Sequence, residues 1–101
     1  MKIEVNKKKY DLKFTFNSFK YLEDLDMGKM AEVENKPFKI IGFVKELLYG
    51  ALNHSRKKEY CESIAEEVLE QYLEEGGSLP ELLEGLMKEL ENSAFFKQLQ
   101  K

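Results

Sequence analysis

Residues 37–54 read PFKIIGFVKELLYGALNH, the most apolar stretch of the chain and the one on which the fold turns. At helical spacing Phe38, Ile41, Val44, Leu48, Ala51 and Leu52 share one face, with Ile40, Phe43 and Leu47 beside it. An apolar arc this wide predicts a central helix contacted from more than one side. Pro37 suits its first position, where a missing N–H leaves nothing unpaired. Gly42 and Gly50 interrupt the pattern, each at a cost of roughly 1 kcal/mol relative to alanine, so a close approach by a neighbouring element is expected at both. Asn53 to Ser55 reads as the turn that ends the helix, and His54 suits the negative end of the helix dipole there.

Upstream, IEVNKKKYDLKFTF alternates. Ile3, Val5, Tyr10, Leu12, Phe14 and Phe16 fall on every second position, with charged or polar residues between, which predicts two half-buried strands joined through Asn6 and the lysines that follow it. A hairpin alone is marginal, so its apolar face must pack on the helices. After Phe16 the period changes, and Phe19, Tyr21, Leu22 and Leu25 predict a short helix capped by Asn17 or Ser18, ending near Met27 and Gly28. KMAEVENK, residues 29–36, has no clear period and reads as a loop.

Downstream, Tyr60, Ile64, Val68 and Tyr72, with Cys61, Ala65, Leu69 and Leu73 adjacent, make a helical stripe over about 56–75, opposite Glu62, Glu66, Glu67, Glu70 and Glu74. Gly76 and Gly77 close it. Ser78-Leu79-Pro80-Glu81 is a capping-box pattern that opens a further helix carrying Leu79, Leu82, Leu83, Leu86, Met87 and Leu90. The whole is an α+β domain, mostly helical: an N-terminal β-hairpin followed by about four helices. It reads as a single domain over 1–101, with the hairpin in 1–16 and the helical part in 17–101, ending in a C-terminal tail at 93–101. In that tail Phe95 and Phe96 stand side by side, about 100° apart on a helix, so one core-facing stripe rarely takes both rings.

The composition is that of a folded chain, with 43% hydrophobic and 35% charged residues. No stretch approaches the roughly 20 apolar residues of a membrane span, and the charged opening does not resemble a secretion signal. The lone Cys61 fits a reducing compartment, and the chain reads as intracellular. Charge is lopsided: residues 1–58 carry 13 Lys and Arg against 8 Asp and Glu (+5), and residues 59–101 carry 3 against 11 (−8). Such polarity can steer a partner or favour head-to-tail self-association.

Little chemistry is visible. His54 and Cys61 are the only pair of their type and lack a third, orienting group, so a catalytic role is not supported and no enzyme is expected. One His, one Cys and scattered glutamates have no metal-ligand spacing, and no glycine pattern cradles a phosphate, so neither metal nor cofactor is expected. Glu66 and Glu70 lie one turn apart but read as a solvated face. The basic clusters at Lys7–Lys9 and Arg56–Lys58 lack interleaved aromatics, and nucleic acid is not the favoured partner. What remains is surplus apolar surface, which either packs internally or meets a protein partner.

The opening MKIEVNKKKYDLKFTFNSFKYLEDLD, the central PFKIIGFVKELLYGALNH, the acidic EQYLEEGG and the closing LEGLMKELENSAFFK together resemble the tail assembly chaperones of long-tailed, siphovirus-type phages and prophages of Gram-positive bacteria. The similarity spans nearly the whole chain, its informative parts being the start and the terminal Ser-Ala-Phe-Phe-Lys. That family often has Asn-Gly in the hairpin turn, where this chain has Asn6-Lys7. A longer loop is therefore expected in place of a type I′ turn.

The resemblance implies a non-enzymatic protein of the host cytoplasm. Such a protein binds the tape-measure protein, keeps its apolar helices soluble during tail assembly, and is absent from the mature virion. The tail tube protein is a further implied contact. It also implies a longer form made by frameshifting, with the extension attached just beyond Phe95 and Phe96. Family motifs name no contact residues, so the candidates come from physics. Either the central helix, through Ile40, Phe43 and Leu47, or the tail, through Phe95, Phe96 and Leu99, would receive an amphipathic client helix. The rival reading is a small intracellular adaptor or regulatory protein that binds another protein or nucleic acid through the same surfaces.

Overall fold

The alternation of the first residues becomes an antiparallel hairpin in the computed structural model, which describes residues 1–22, 39–94 and 97. Strand β1 (Lys2–Val5) pairs with β2 (Lys8–Asp11), Lys2 opposite Asp11 and Val5 opposite Lys8. Ile3 and Val5 are buried and Tyr10 half-buried on one face, while Lys2, Glu4 and Lys9 take the other. The same parity continues past the ladder, burying Leu12 and Phe14. It fails at Phe16, which is 61% exposed because the chain turns there.

The connection between the strands has two residues, not a longer loop, and both have positive φ: Asn6 at 52° and Lys7 at 65°. This is the type I′ geometry, whose twist matches that of the strands it joins. The twist and an external tie outweigh the missing glycine. The Asn6 N–H donates to both carboxylate oxygens of Glu75, at 2.9 and 3.1 Å, which anchors the turn to a residue 69 positions on.

Three α-helices follow among the described residues, α1 (Lys39–Leu52), α2 (Glu62–Glu74) and α3 (Leu79–Glu91). The domain is thus mixed α+β and mostly helical, but with one helix fewer than expected. Among the described residues, the segment after Phe16 makes a 3-10 turn, Ser18–Tyr21, and no α-helix. Neither expected cap serves it. Asn17 sends its side-chain amide to the Asn53 carbonyl, 2.9 Å away, and the buried Ser18 hydroxyl accepts from the Thr15 N–H and donates to the Lys13 carbonyl. The expected loop at 29–36, the helix end near Met27 and Gly28, and the start at Pro37 lie outside the described residues.

Helix α1 packs against the 3-10 turn, β2, α2 and α3, as its wide arc requires. Val44, Leu47, Leu48 and Ala51 are completely buried, and around them close Ala65, Val68 and Leu69 of α2 and Leu82, Leu86 and Leu90 of α3. Gly50 earns its place by contact. A Cβ there would lie 2.6 Å from Leu22 Cδ2, so a glycine lets the chain after the 3-10 turn cross α1.

Helix α2 begins at Glu62, six residues later than its periodicity suggests, and Asn53 is the reason. This fully buried side chain donates to the carbonyls of Tyr49 (2.9 Å) and Tyr60 (3.0 Å) and accepts from the Tyr60 N–H (2.7 Å). With both backbone groups of Tyr60 so held, the chain there cannot enter a helix, and Cys61 becomes the N-cap. The Tyr60 ring meets Tyr10 of the hairpin edge-on, at 6.3 Å between centroids.

The two glycines after α2 form a Schellman cap: the Gly77 N–H bonds the Tyr72 carbonyl, the Gly76 N–H bonds that of Leu73, and Gly76 has φ +92°. At the start of α3 the Ser78 hydroxyl accepts from the Glu81 N–H at 3.4 Å, as the capping-box pattern predicts.

Two substitutions check these assignments. Asn53→Ala should destabilise the protein by about 3 kcal/mol in urea unfolding, since buried groups that lose their partners cost about 1–3 kcal/mol each. A loss below about 1 kcal/mol would show that the loop is held by other contacts. Lys7→Gly should raise stability by about 0.5–1 kcal/mol, because relief of the left-handed strain exceeds the added chain entropy of glycine.

Candidate partner-binding groove

Helices α1 and α2 are joined by the short segment 53–61 and run antiparallel. Lys45 meets Glu62 and Glu66, while further back along α1 Ile41 and Gly42 face Leu69, Glu70 and Leu73. Between them lies a groove of about 350 Å³ lined by Ile41, Gly42, Lys45, Glu66, Leu69, Glu70 and Leu73. Leu69 forms the buried floor and Leu73 is half-buried; Ile41 is 44% exposed at the lip. The groove exists where it does because Gly42 presents no side chain: a Cβ there would meet no atom within 4 Å.

One end is bridged by charge. Lys45 Nζ lies 3.1 Å from Glu62 Oε1 and 3.2 Å from Glu66 Oε1. The Glu62 carboxylate bonded to it holds the ammonium above the ordinary lysine value, Glu66 adds to this, and partial burial works against it. The opposite wall is acidic, since α2 carries Glu62, Glu66, Glu67, Glu70 and Glu74 and no basic residue. Beyond the bridge Tyr21 and Tyr49 meet edge-on at 5.0 Å. Both phenols are raised above their usual pKa, first by desolvation, then for Tyr21 by a hydrogen bond to Glu59 and for Tyr49 by the charge of Glu62.

The residues expected to meet a partner fall in three places. Phe43 (6% exposed) and Leu47 (0%) belong to the core and present almost no surface, because the side of α1 that they occupy faces the rest of the domain. Ile40 is half-buried against that core. Phe95, Phe96 and Leu99 lie outside the described residues. The accessible apolar surface of α1 is instead at Ile41, read from the sequence as core. Gly42 was the one available signal, a glycine in an apolar helix, while Glu66 and Glu70 read as mere solvated face until α1 is laid beside them.

Elsewhere, His54 is half-buried after α1, with its carbonyl accepting from the Thr15 hydroxyl at 2.7 Å, and Cys61 is exposed. Among the described residues no group of three His, Cys, Asp or Glu side chains is placed to hold a metal ion, and no helix is long and apolar enough to cross a membrane. A second, polar cleft of about 240 Å³ lies among Asn6, Gln71, Glu74 and Glu75, where the Asn6–Glu75 contact ties the hairpin to α2. No family model, curated protein or solved structure matches the chain.

The Lys45 bridge has a testable pH signature. A lysine raised on folding contributes stability in full below its unfolded pKa and loses that contribution as pH rises through the folded value. Lys45→Met should therefore cost about 0.5–1 kcal/mol near pH 8, a modest effect because both glutamates are exposed. Its penalty relative to wild type should shrink as pH rises beyond the ordinary lysine value of about 10.4, measured by denaturant unfolding at each pH. A penalty independent of pH would mean that only the packing of the lysine stem matters.

Proposed function

We propose that this protein is a tail assembly chaperone of a long-tailed phage or prophage, which binds the tape-measure protein in the host cytoplasm and keeps it soluble until the tail tube forms around it. The reading is supported by one structural observation above all, the open apolar groove between α1 and α2. Among the described residues nothing fills this apolar channel beside the exposed Ile41, and a client helix can bury its apolar face there. The resemblance of the opening segment, the central helix and the Ser-Ala-Phe-Phe-Lys ending to that family gives the client its identity. The contacts are non-covalent, and the protein departs before the virion is complete.

Several copies would coat one long client. Their alignment is favoured by opposite charge at separate places: Lys7, Lys8 and Lys9 are exposed at the hairpin turn, and α2 exposes its glutamates. Contacts of this kind weaken as salt rises.

Co-expression with the cognate tape-measure protein is the direct test. The soluble fraction of the client should rise in the presence of this protein, and the two should co-purify. A client equally insoluble with and without it would refute the proposal.

A further inference from the structure

The two glycines of α1 differ in what they are for. Gly50 is required by the fold, since Leu22 occupies the space that a side chain would need. Gly42 has no such requirement: a Cβ would meet nothing within 4 Å, and the residue does not carry a positive φ. A glycine inside a helix is unfavourable, and here no contact within the described chain offsets it. It does, however, leave the backbone of α1 bare where it lines the groove, so that the backbone of a second helix could approach closely.

The charges beside it are arranged equally poorly for the domain alone. Helix α2 has no lysine or arginine to pair its five glutamates internally, and Glu74 sits in the last turn, where a negative charge opposes the helix dipole. Among the described residues Lys45 is the only cation lining the groove, and two carboxylates already share it. Glu66 and Glu70 thus present an acidic wall above the apolar floor of Leu69 and Leu73.

The geometry points to a specific occupant: an α-helix whose stripe of small and apolar residues crosses α1 at Gly42, with lysine or arginine on the flank that faces Glu66 and Glu70. This rests on the chaperone reading only for the identity of the natural client. The shape and charge of the groove define the class of partner independently, and the assignment can be tested without that client.

The probe is a pair of labelled peptides of about 20 residues, long enough to hold a helix, with the same Leu/Ala stripe and either lysine or glutamate on the flanks. In fluorescence anisotropy the lysine peptide should bind this protein at least about tenfold more tightly than the glutamate peptide, with a preference that fades at high salt. Gly42→Leu puts a side chain into the groove from a Cβ that meets no atom within 4 Å, so it should weaken binding about tenfold or more while the melting temperature stays level or rises. Gly42→Ala should fall between. The double change Glu66→Lys and Glu70→Lys should reverse the preference between the peptides.

Binding of the lysine peptide that is indifferent to Gly42→Leu would overturn the assignment. So would a charge preference unmoved by the double change. Sedimentation that shows a self-associated wild type made monomeric by Gly42→Leu, with neither peptide bound, would also overturn it and name a second copy as the occupant. The client experiment separates the two proposals. If Gly42→Leu still solubilises the tape-measure protein, the groove assignment fails and the chaperone reading stands. If wild type fails to solubilise the client yet binds the lysine peptide through Gly42, the reverse holds.

Discussion

The structure depends on satisfying the carbonyls at the C-terminal end of α1. A helix leaves its last four carbonyls without partners, and here that end is buried in the middle of a small domain, away from compensating water. The chain that follows the hairpin supplies donors: the Lys13 N–H reaches the Ala51 carbonyl, the Asn17 amide that of Asn53, and the Thr15 hydroxyl that of His54. Asn53 bonds back to Tyr49 and outward to both backbone groups of Tyr60. One polar knot thereby places the exit from the hairpin, the 3-10 turn and the segment leading to α2. Without these bonds the apolar surfaces could still collapse, but nothing would specify how the elements sit around α1.

With α1 so placed, α2 lies beside it under two different regimes. Near the connecting segment the helices are bridged by Lys45, Glu62 and Glu66, and further away the bare backbone at Gly42 leaves them unfilled. The same pair of helices is therefore a core interface along one edge and an open apolar groove along the other. A groove of this kind requires rigid walls, and each wall is held by the buried residues behind it, Phe43 and Val44 on α1 and Ala65 and Val68 on α2. Phe43 and Leu47, which the sequence suggests as partner surface, instead support that surface from behind.

Much of the architecture is legible in the residues, element by element. The strands follow from period two at Ile3, Val5, Tyr10 and Leu12, the end of α2 from Gly76 and Gly77, and the start of α3 from Ser78 and Glu81. These are local signals, each carried by neighbours within a few positions. The sequence reading fails where a side chain is used at long range. Asn17 looks like an N-cap but pairs with Asn53, 36 positions away. Tyr60 looks like the first turn of a helix but is held outside it by a residue seven positions earlier. The turn at Asn6 and Lys7 lacks its preferred glycine but is tied to Glu75, 69 positions on.

The candidate site divides along the same line. From its sequence alone the chain specifies its amphipathic segments, their ends, and an excess of apolar and acidic residues, because periodicity, capping and composition are properties of neighbouring residues. Which apolar residues are core and which are surface is decided only when α1 meets its neighbours. Phe43 and Ile41 are two positions apart and equally apolar, yet one faces the packed interior and the other the lip of a groove. Burial is a property of what lies opposite, and for a helix contacted on several sides no pattern within the helix records it.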